Sequence, residues 1–444
     1  MSQTLSEAEI GTSDPAMLRN SLAELLAESR SRTMELIAPI PVDELFMQQD
    51  PLMSPIIWDV GHIGNFEELW LVRHFGGALR PEYDGLYDAM KNPRSTRDKL
   101  PLPTYDALLA YLAEVRDRAL DHLAVADFDG DDPILREGYL YRMILQHEYQ
   151  HDETLLATFQ LKRGEPYHPA RRRELPAGNP AVGGMALVPA GTFWMGTDDR
   201  SSAYDNERGR HQVHLDDFMI DIAPVSNGRF MEFVEAGGYR RREYWDDAGW
   251  EFINAGGITA PKHWHRDADG VWSTRSMDFV EPVNPRRPVV HVCWHEAVAY
   301  CRFVGKRLPT EAEWEKAASW DPATGAQLIY PWGNQPPGRE RANLDQRGYM
   351  AAEIGAYPSG ASPVGCQGMI GDVWEWTASD FAPYPGFQPF PYDEYSNVFF
   401  GPDYKVLRGG SWATRPGAIR NTFRNWDYPI RRQIFSGFRC AQDV

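Results

Sequence analysis

Hydrophobic residues recur at helical spacing in the N-terminal part of the chain. Leu18, Leu22 and Leu25 follow the pair Asp14–Pro15 at intervals of three or four, a pattern typical of a helix start. Similar patterns predict helices that begin at Ser54–Pro55, near Tyr105 and at Asp132–Pro133, and that end at Gly76–Gly77, near Val125 and at Gly164. Four long amphipathic helices in succession predict a helix bundle, a fold that often builds metal sites from inward-facing side chains.

The pattern changes after Gly164. Residues 165–183 are rich in proline, glycine and arginine, which indicates a linker. Beyond it, MALVPAGTFWMG and HQVHLDDFMIDIAPVS are strand-like, whereas NGRFMEFVEAGG, HEAVAYCRFVG and PTEAEWEKAA predict short helices among loops rich in tryptophan. We therefore predict a helical domain over residues 14–164, a linker over 165–183 and a mixed α+β domain over 184–444.

Composition and charge restrict the partners and the cellular location that we expect for this protein. A formal net charge of -18 over 444 residues disfavours nucleic acid and anionic membranes as partners. The chain has no apolar run long enough to cross a membrane, and its polar, acidic N-terminus lacks the features of a secretory signal. Its 4 cysteines show no C-x-x-C spacing, so neither a structural zinc site nor an oxidising compartment is indicated. These features predict a soluble cytoplasmic protein.

The candidate chemistry is concentrated in HEYQH, residues 147–151. His147 and His151 lie one helical turn apart, and the string matches the H-E-x-x-H of zinc hydrolases. The extended protease signature is absent, because Thr154 and Ala157 stand where glycine and a third histidine are needed. His62, within the second predicted helix, can face the fourth helix in a bundle and complete a set of three imidazoles. Such a set suits zinc or iron, and an isolated H-x-x-x-H is also common without any metal.

Longer motifs carry a resemblance to known families. GTFWMG, RLPTEAEWEKAA, YPWGN, GDVWEWTASD, LRGGSW and GFRCA, in this order, resemble the formylglycine-generating-enzyme (sulfatase-modifying factor) domain, a variant of the C-type lectin fold. The copper-binding cysteine pair of those enzymes is replaced by Arg420 and Asn425. DPLMSPIIWDVGHIG and HEYQHDET resemble the DinB-like four-helix bundle. With LYDAMKNPRSTR, PYDEYSNVFF and FRNWDYPIRRQIFSGFR, nearly the whole chain resembles the sulfoxide synthases of ergothioneine biosynthesis (the EgtB family).

This resemblance implies a specific reaction. The enzymes of that family use non-haem Fe(II) and O2 to join the sulfur of γ-glutamylcysteine to the imidazole C2 of hercynine (Nα-trimethylhistidine) as a sulfoxide. By match to the family motifs, His62, His147 and His151 are the implied iron ligands and Tyr392 the catalytic proton donor. The implied contacts of the two substrates are Arg94, Arg97, Gln150, Tyr395, Asn425, Trp426 and Asp427.

Several expectations and alternatives follow. The active site is expected between the two domains, and Glu148 is expected to be a buried or capping carboxylate without a catalytic role. Free cysteine or a selenium donor are alternatives to γ-glutamylcysteine. A zinc hydrolase and a non-catalytic ligand-binding module are the alternatives from other classes, and metal analysis with oxygen uptake distinguishes them.

Overall fold

The computed structural model describes residues 14–444, which form two compact units. The first unit extends to Ala170 and includes Arg200–Ser202, and the second comprises Arg171–Asp199 and Ala203–Val444. The division falls within the predicted linker. Residues 1–13, the polar and acidic segment that lacks the features of a secretory signal, lie outside the described residues. Among the helices described, none combines the length and apolar character needed to cross a membrane.

The first unit is a helix bundle, as predicted. Its long helices are α1, α3, α6 and α7, and α7 packs against both α1 and α3. A π-helical turn at Glu68–Val72 extends α3 directly into the short α4. The helices of this unit are α1 (Pro15–Ile37), α2 (Val42–Leu45), α3 (Ile56–Glu67), α4 (Arg73–Phe75), α5 (Asp84–Tyr87), α6 (Tyr105–Val125) and α7 (Tyr139–Gln160).

The predicted helix starts are confirmed except the last. Asp14 caps α1, where its Oδ1 accepts a hydrogen bond from Ala16 N at 2.9 Å, and Pro15 occupies the first turn. The predicted start of the fourth helix at Asp132–Pro133 is wrong, because α7 begins at Tyr139. Glu137 (φ 55°) and Gly138 (φ 72°) adopt left-handed conformations that interrupt a continuous helix.

A buried network of ion pairs joins the four long helices. Glu148 of α7 accepts hydrogen bonds from Arg30 Nε of α1 at 2.8 Å and from Arg116 Nη2 of α6 at 3.0 Å. Glu67 of α3 binds the same two arginines, at 2.8 Å and 2.6 Å. Burial would raise the pKa of Glu148, but the charges of Arg30 and Arg116 outweigh it and lower the pKa to about 2. Glu148 is thus a buried structural carboxylate, as expected.

The second unit is made of small sheets joined by short helices. Its strands are β1 (Met185–Val188), β2 (Gly191–Met195), β3 (His211–Leu215), β4 (Phe218–Asp221), β5 (Trp264–Arg266), β6 (Trp272–Ser276), β7 (Phe279–Pro282), β8 (Trp374–Phe381), β9 (Gly401–Arg408), β10 (Asn425–Asp427), β11 (Ser436–Gly437) and β12 (Ala441–Asp443). Its helices are α8 (Asn227–Glu235), α9 (Asp247–Ala255), α10 (Trp294–Phe303) and α11 (Glu311–Ser319). The three short helices predicted from the sequence correspond to α8, α10 and α11.

The sheets of the second unit are ordered β1-β4-β12, β10-β9-β8-β11, β2-β3 and β5-β6-β7. All neighbours are antiparallel except β11 and β8. Strands this short bury little apolar area, so the loops are held by buried aromatic and ionic anchors. One anchor is Arg408, fully buried, which pairs with Glu311 at 2.7 Å and Glu315 at 2.5 Å on α11.

Glu148→Gln tests the structural role of the buried network. The amide cannot balance the charges of Arg30 and Arg116, so the free energy of unfolding should fall by about 3–5 kcal/mol. Chemical denaturation measures this. The control is Glu28→Gln on the surface of α1, where the carboxylate lies 3.9 Å from Arg32 and the change should stay below about 1 kcal/mol. Equal stability of Glu148→Gln and the parent protein would contradict the prediction.

Candidate metal centre

Three histidine side chains converge inside the helix bundle. His62 comes from α3, and His147 and His151 come from α7. Their ring centroids are 5.1 Å (His62–His147), 4.9 Å (His62–His151) and 4.5 Å (His147–His151) apart. Their candidate ligand atoms all lie within 4.8 Å of one another. Small side-chain rotations suffice to bring three nitrogens onto one ion at about 2.0–2.1 Å.

Local sequence explains this convergence. His147 and His151 are one turn apart and therefore lie on the same face of α7. Two glycines beside His62 let α3 approach its neighbours closely: a Cβ at Gly61 would overlap the Tyr87 ring, and one at Gly64 would overlap Leu112. A side chain at either glycine would require the Tyr87 ring or the Leu112 side chain to move away from α3.

Each imidazole is oriented by a different neighbour. His62 Nδ1 lies 2.8 Å from the backbone oxygen of Tyr87, and because a carbonyl only accepts, Nδ1 carries the proton and Nε2 is free for a metal. His151 Nδ1 lies 3.5 Å from Oδ1 of the buried Asp59. His147 stacks face to face on Phe66, with ring centroids 3.8 Å apart.

Burial opposes protonation of His62 and His147, and the neutral imidazole is the form that binds a metal. Burial lowers the pKa of His62 to about 3, and repulsion from His151 contributes in the same direction. Burial likewise places the pKa of His147 well below its ordinary value. Burial opposes ionisation of Asp59, but the hydrogen bond and charge of His151 prevail and lower the pKa of that carboxyl. Three imidazole nitrogens beside one carboxylate fit a divalent transition metal.

A zinc-hydrolase arrangement is not supported here. In that mechanism the glutamate of H-E-x-x-H is the general base for a metal-bound water. Both Glu148 oxygens are engaged, by Arg30 and Thr33 on one side and by Arg116 and Ser29 on the other. The carboxylate is fully buried in the ion-pair network. The agreement of HEYQH with the protease string is therefore coincidental.

The implied substrate residues of the first unit differ in exposure. Gln150 is half-buried on α7, next to the candidate ligand His151. Arg94 and Arg97 belong to a short 3-10 helix, Arg94–Lys99, in which Arg94 is exposed and Arg97 is buried. Arg97 Nη1 donates to Ser54 Oγ at 2.7 Å, and its Nε donates to the backbone oxygen of Asn92 at 2.9 Å.

Arg97 also contacts the layer behind the histidines. Its guanidinium carbon lies 3.5 Å from the centroid of the Trp58 ring. Trp58 in turn stacks on His62, with centroids 5.0 Å apart and an interplanar angle of 10°. Burial lowers the pKa of Arg97 to about 10, although the nearby Asp59 opposes this effect. Arg97 thus supports a ligand as well as lying in a segment implied to bind substrate.

The remaining implied residues come together in the second unit. The Tyr392 and Tyr395 ring centroids are 6.3 Å apart, and Tyr395 meets Trp426 edge to face at 5.8 Å. Trp426 lies between Asn425 and Asp427 on β10, which pairs with β9. Asp427 Oδ2 is 3.2 Å from Arg431 Nε, so this carboxylate already has a cationic neighbour.

The stretch that replaces the copper cysteines is also occupied by protein contacts. Arg420 is buried and its Nε donates to Glu207 Oε2 at 2.8 Å. Asn425 Oδ1 accepts from the backbone N of Trp426 at 2.9 Å. An ion pair therefore stands where one of the two thiols would be.

Asp59 and Tyr204 were not among the residues expected at the site. Asp59 precedes His62 by three positions, so helical spacing could have indicated it, as it does for Trp58 one position earlier. Tyr204 stacks on Tyr395 at 4.1 Å, and no local pattern indicates a contact between positions so far apart.

Asp59→Asn tests the support of the metal centre. The substitution preserves size but removes the charged acceptor beside His151, so metal affinity should fall about 10–100-fold. Anaerobic titration with Co(II), followed by its visible absorption, measures the Kd. His151→Ala should abolish binding, and His168→Ala, an exposed histidine, should leave it unchanged. A parental Kd for Asp59→Asn would refute this role.

Comparisons with known proteins agree with this architecture. Residues 25–155 match the DinB superfamily, and residues 172–444 match the sulfatase-modifying factor enzyme 1-like domain. These matches confirm the predicted fold class: a DinB-like bundle followed by a formylglycine-generating-enzyme-like domain. The formylglycine-generating enzyme of Mus musculus is 32% identical over 289 residues, covering 58% of this chain and 75% of that enzyme.

Two bacterial relatives match almost from end to end. The hercynine oxygenase of Mycolicibacterium smegmatis is 46% identical over 439 residues, covering 96% of this chain and 99% of that protein. The hercynine oxygenase of Mycobacterium tuberculosis is 46% identical over 430 residues, with 95% and 99% covered. With both domains and the three-histidine cluster present in one chain, this protein belongs to the hercynine oxygenase family.

Proposed function

We propose that this oxygenase is a non-haem Fe(II) sulfoxide synthase that joins the sulfur of γ-glutamylcysteine to the imidazole C2 of hercynine. The observation that carries the proposal is the cluster of three histidines, His62, His147 and His151, in a chain whose full-length relatives are named hercynine oxygenases. Of the ions that such a cluster accepts, iron has the redox chemistry that an oxygenase needs, whereas zinc has none.

Iron held by His62, His147 and His151 would supply sites for a thiolate and O2 and the electron-transfer chemistry of the reaction. Neutral ligands leave the ion its full charge, which favours a deprotonated thiol. Asp59 and the Tyr87 carbonyl orient His151 and His62, and Trp58 and Phe66 restrict the rings of His62 and His147. The protein thereby fixes the ligand geometry before substrates arrive.

The aromatic cluster of the second unit supports the choice of hercynine. Tyr395 and Trp426 present perpendicular rings 5.8 Å apart, and aromatic faces attract a trimethylammonium group by cation–π interaction. The side-chain amide of Asn425 lies beside the backbone of Trp426, whose N–H donates to Asn425 Oδ1 at 2.9 Å. In our proposal Gln150 contacts the substrate imidazole, and the Tyr392 phenol donates a proton during C–S coupling.

The charged residues support γ-glutamylcysteine as the sulfur donor. This substrate has two carboxylates and one α-ammonium group, which suit arginines and an aspartate respectively. Arg94 is exposed and can reach a ligand, whereas the Arg97 guanidinium already donates within the protein. Asp427, beside Arg431, is the proposed partner of the ammonium group. Free cysteine lacks the glutamyl carboxylate and would leave a cation unpaired.

The direct test is anaerobic reconstitution with Fe(II) or Zn(II), followed by oxygen uptake with hercynine and each thiol. We expect iron-dependent uptake and a sulfoxide product, identified by mass spectrometry, with γ-glutamylcysteine preferred over cysteine. Hydrolytic activity with zinc and no oxygen requirement would replace the proposal by a hydrolase. Absence of uptake with iron and every thiol would leave only a binding module.

Arg94→Ala tests the donor assignment. Loss of one charge-assisted contact of about 1.5–3 kcal/mol should lower kcat/KM for γ-glutamylcysteine by about one to two decades. The value for free cysteine should change little, because cysteine lacks the distal carboxylate. Arg118→Ala, an exposed position on α6, is the control. Equal losses with both thiols would show that Arg94 does not read the glutamyl group.

Tyr392→Phe tests the proton donor. Without the phenolic proton, C–S coupling should fall and oxygen should be diverted to the thiol, which would leave as a sulfinic acid. Metal affinity should be unchanged, and Tyr105→Phe at the start of α6 should behave as the parent. The ratio of sulfoxide to sulfinate, measured by mass spectrometry, decides the outcome. An unchanged ratio would remove Tyr392 from the mechanism.

A further inference from the structure

A short buried turn holds both ends of the loop that carries Tyr392. The turn is the 3-10 helix Asp205–Glu207. Asp205 Oδ2 accepts a hydrogen bond from the backbone N of Phe390 at 3.3 Å, and Oδ1 accepts one from Ser396 Oγ at 2.5 Å. Phe390 and Ser396 flank Tyr392 in the sequence. The Asp205 carboxylate therefore holds the loop at one residue before Tyr392 and one residue after it.

Neighbours of Asp205 add contacts with the same loop. Asn206 Nδ2 donates to Ser396 Oγ at 3.0 Å, so this hydroxyl is fixed as donor and as acceptor. The Tyr204 ring stacks on Tyr395 at 4.1 Å, and the Arg208 guanidinium lies 4.7 Å from the centroid of the Phe390 ring. Tyr204, Asp205, Asn206 and Arg208 are all buried. We call residues 204–208 the anchor segment.

The anchor segment is itself fixed to the strand region that precedes β10. Glu207 Oε2 accepts hydrogen bonds from Arg420 Nε and Thr422 Oγ1, both at 2.8 Å. Arg424 Nη1 donates to the backbone oxygen of Asn206 at 2.9 Å. Residues 420–424 lead directly into β10. The loop with Tyr392 and Tyr395 and the strand with Trp426 thus share one support.

Such a support matters because the loop has little regular structure of its own. It contains only the short 3-10 turns Asp393–Tyr395 and Asn397–Phe399 before β9 begins. A proton donor must lie within hydrogen-bond reach of the atom that it protonates, and a displacement of about 1 Å can cost about 100-fold in rate. Hydrogen bonds to a carboxylate are stronger than those between neutral groups, which suits Asp205 to this task.

We propose that Asp205 is a positioning residue for Tyr392, and that through the loop it sets the partition between C–S coupling and oxidation of the thiol. This inference rests on the proposed function. In coupling, the thiol loses its S–H proton and the imidazole its C2–H proton, a C–S bond forms, and the four electrons reduce O2 to one sulfoxide oxygen and one water. In the competing reaction, both oxygen atoms of O2 end on sulfur as a sulfinic acid.

The test compares Asp205→Ala with Ser396→Ala, which removes only one hydroxyl and is the milder variant if Asp205→Ala folds poorly. Hydrogen exchange followed by mass spectrometry should show faster exchange confined to peptides covering residues 388–398. The sulfoxide-to-sulfinate ratio should fall about 10–100-fold for Asp205→Ala, and in the same direction for Ser396→Ala. Co(II) affinity should be unchanged. Glu394→Ala, an exposed carboxylate in the same loop, should match the parent in every measurement.

A double-variant comparison separates this inference from the proposed function. If Asp205 acts through Tyr392, adding Asp205→Ala to Tyr392→Phe should not change the product ratio further. A parental ratio for Asp205→Ala, together with an altered ratio for Tyr392→Phe, would overturn only the role of Asp205. A parental ratio for Tyr392→Phe would refute the proposed proton donor itself. Unchanged exchange of the loop in Asp205→Ala would show that the carboxylate does not hold it.

Discussion

The helix bundle depends on a buried set of charges in which each long helix supplies one member. Arg30 of α1, Glu67 of α3, Arg116 of α6 and Glu148 of α7 leave no carboxylate without an arginine. Removing any one of these four residues would leave an unpaired charge in the interior. The network therefore restricts the four helices to a single register. Glu148 directly follows His147, and Glu67 lies on the helix that carries His62. The register that satisfies these charges also brings the histidines together.

Polar groups and aromatic rings of the helix bundle both contact the histidines. Hydrogen-bond acceptors contact His62 and His151, through the Tyr87 carbonyl and the Asp59 carboxylate. Aromatic rings of Trp58 and Phe66 cover the flat faces of His62 and His147. These contacts orient the imidazoles without using the glutamate of the H-E-x-x-H string. The H-E-x-x-H string therefore does not indicate a hydrolase when its glutamate is held in a structural ion-pair network.

In the second unit, buried ion pairs join segments that are distant in the sequence. Between its small sheets the chain runs through long loops, and buried arginine–carboxylate pairs join these segments. Arg420 with Glu207 and Arg408 with Glu315 join segments distant in sequence. Through Glu207 the anchor segment is connected to β10, and through Asp205 to the loop of Tyr392. The aromatic cluster is thus held by ion pairs and hydrogen bonds of the anchor segment together with the pairing of β10 and β9.

From the sequence alone follow the fold class, the helical content of the bundle, the three histidines of the candidate metal centre and the family. Periodicity, capping residues and ordered motifs are local features, so they can be recognised without knowledge of the tertiary contacts. The start of α7, the ion pairs of Glu148, the burial of Arg97 and the contacts of Asp59 and Asp205 are visible only in the tertiary structure. These depend on partners from other segments: Ser396 and Asp205 are 191 positions apart. No local pattern encodes such a pairing, because it exists only after folding has brought the two segments together.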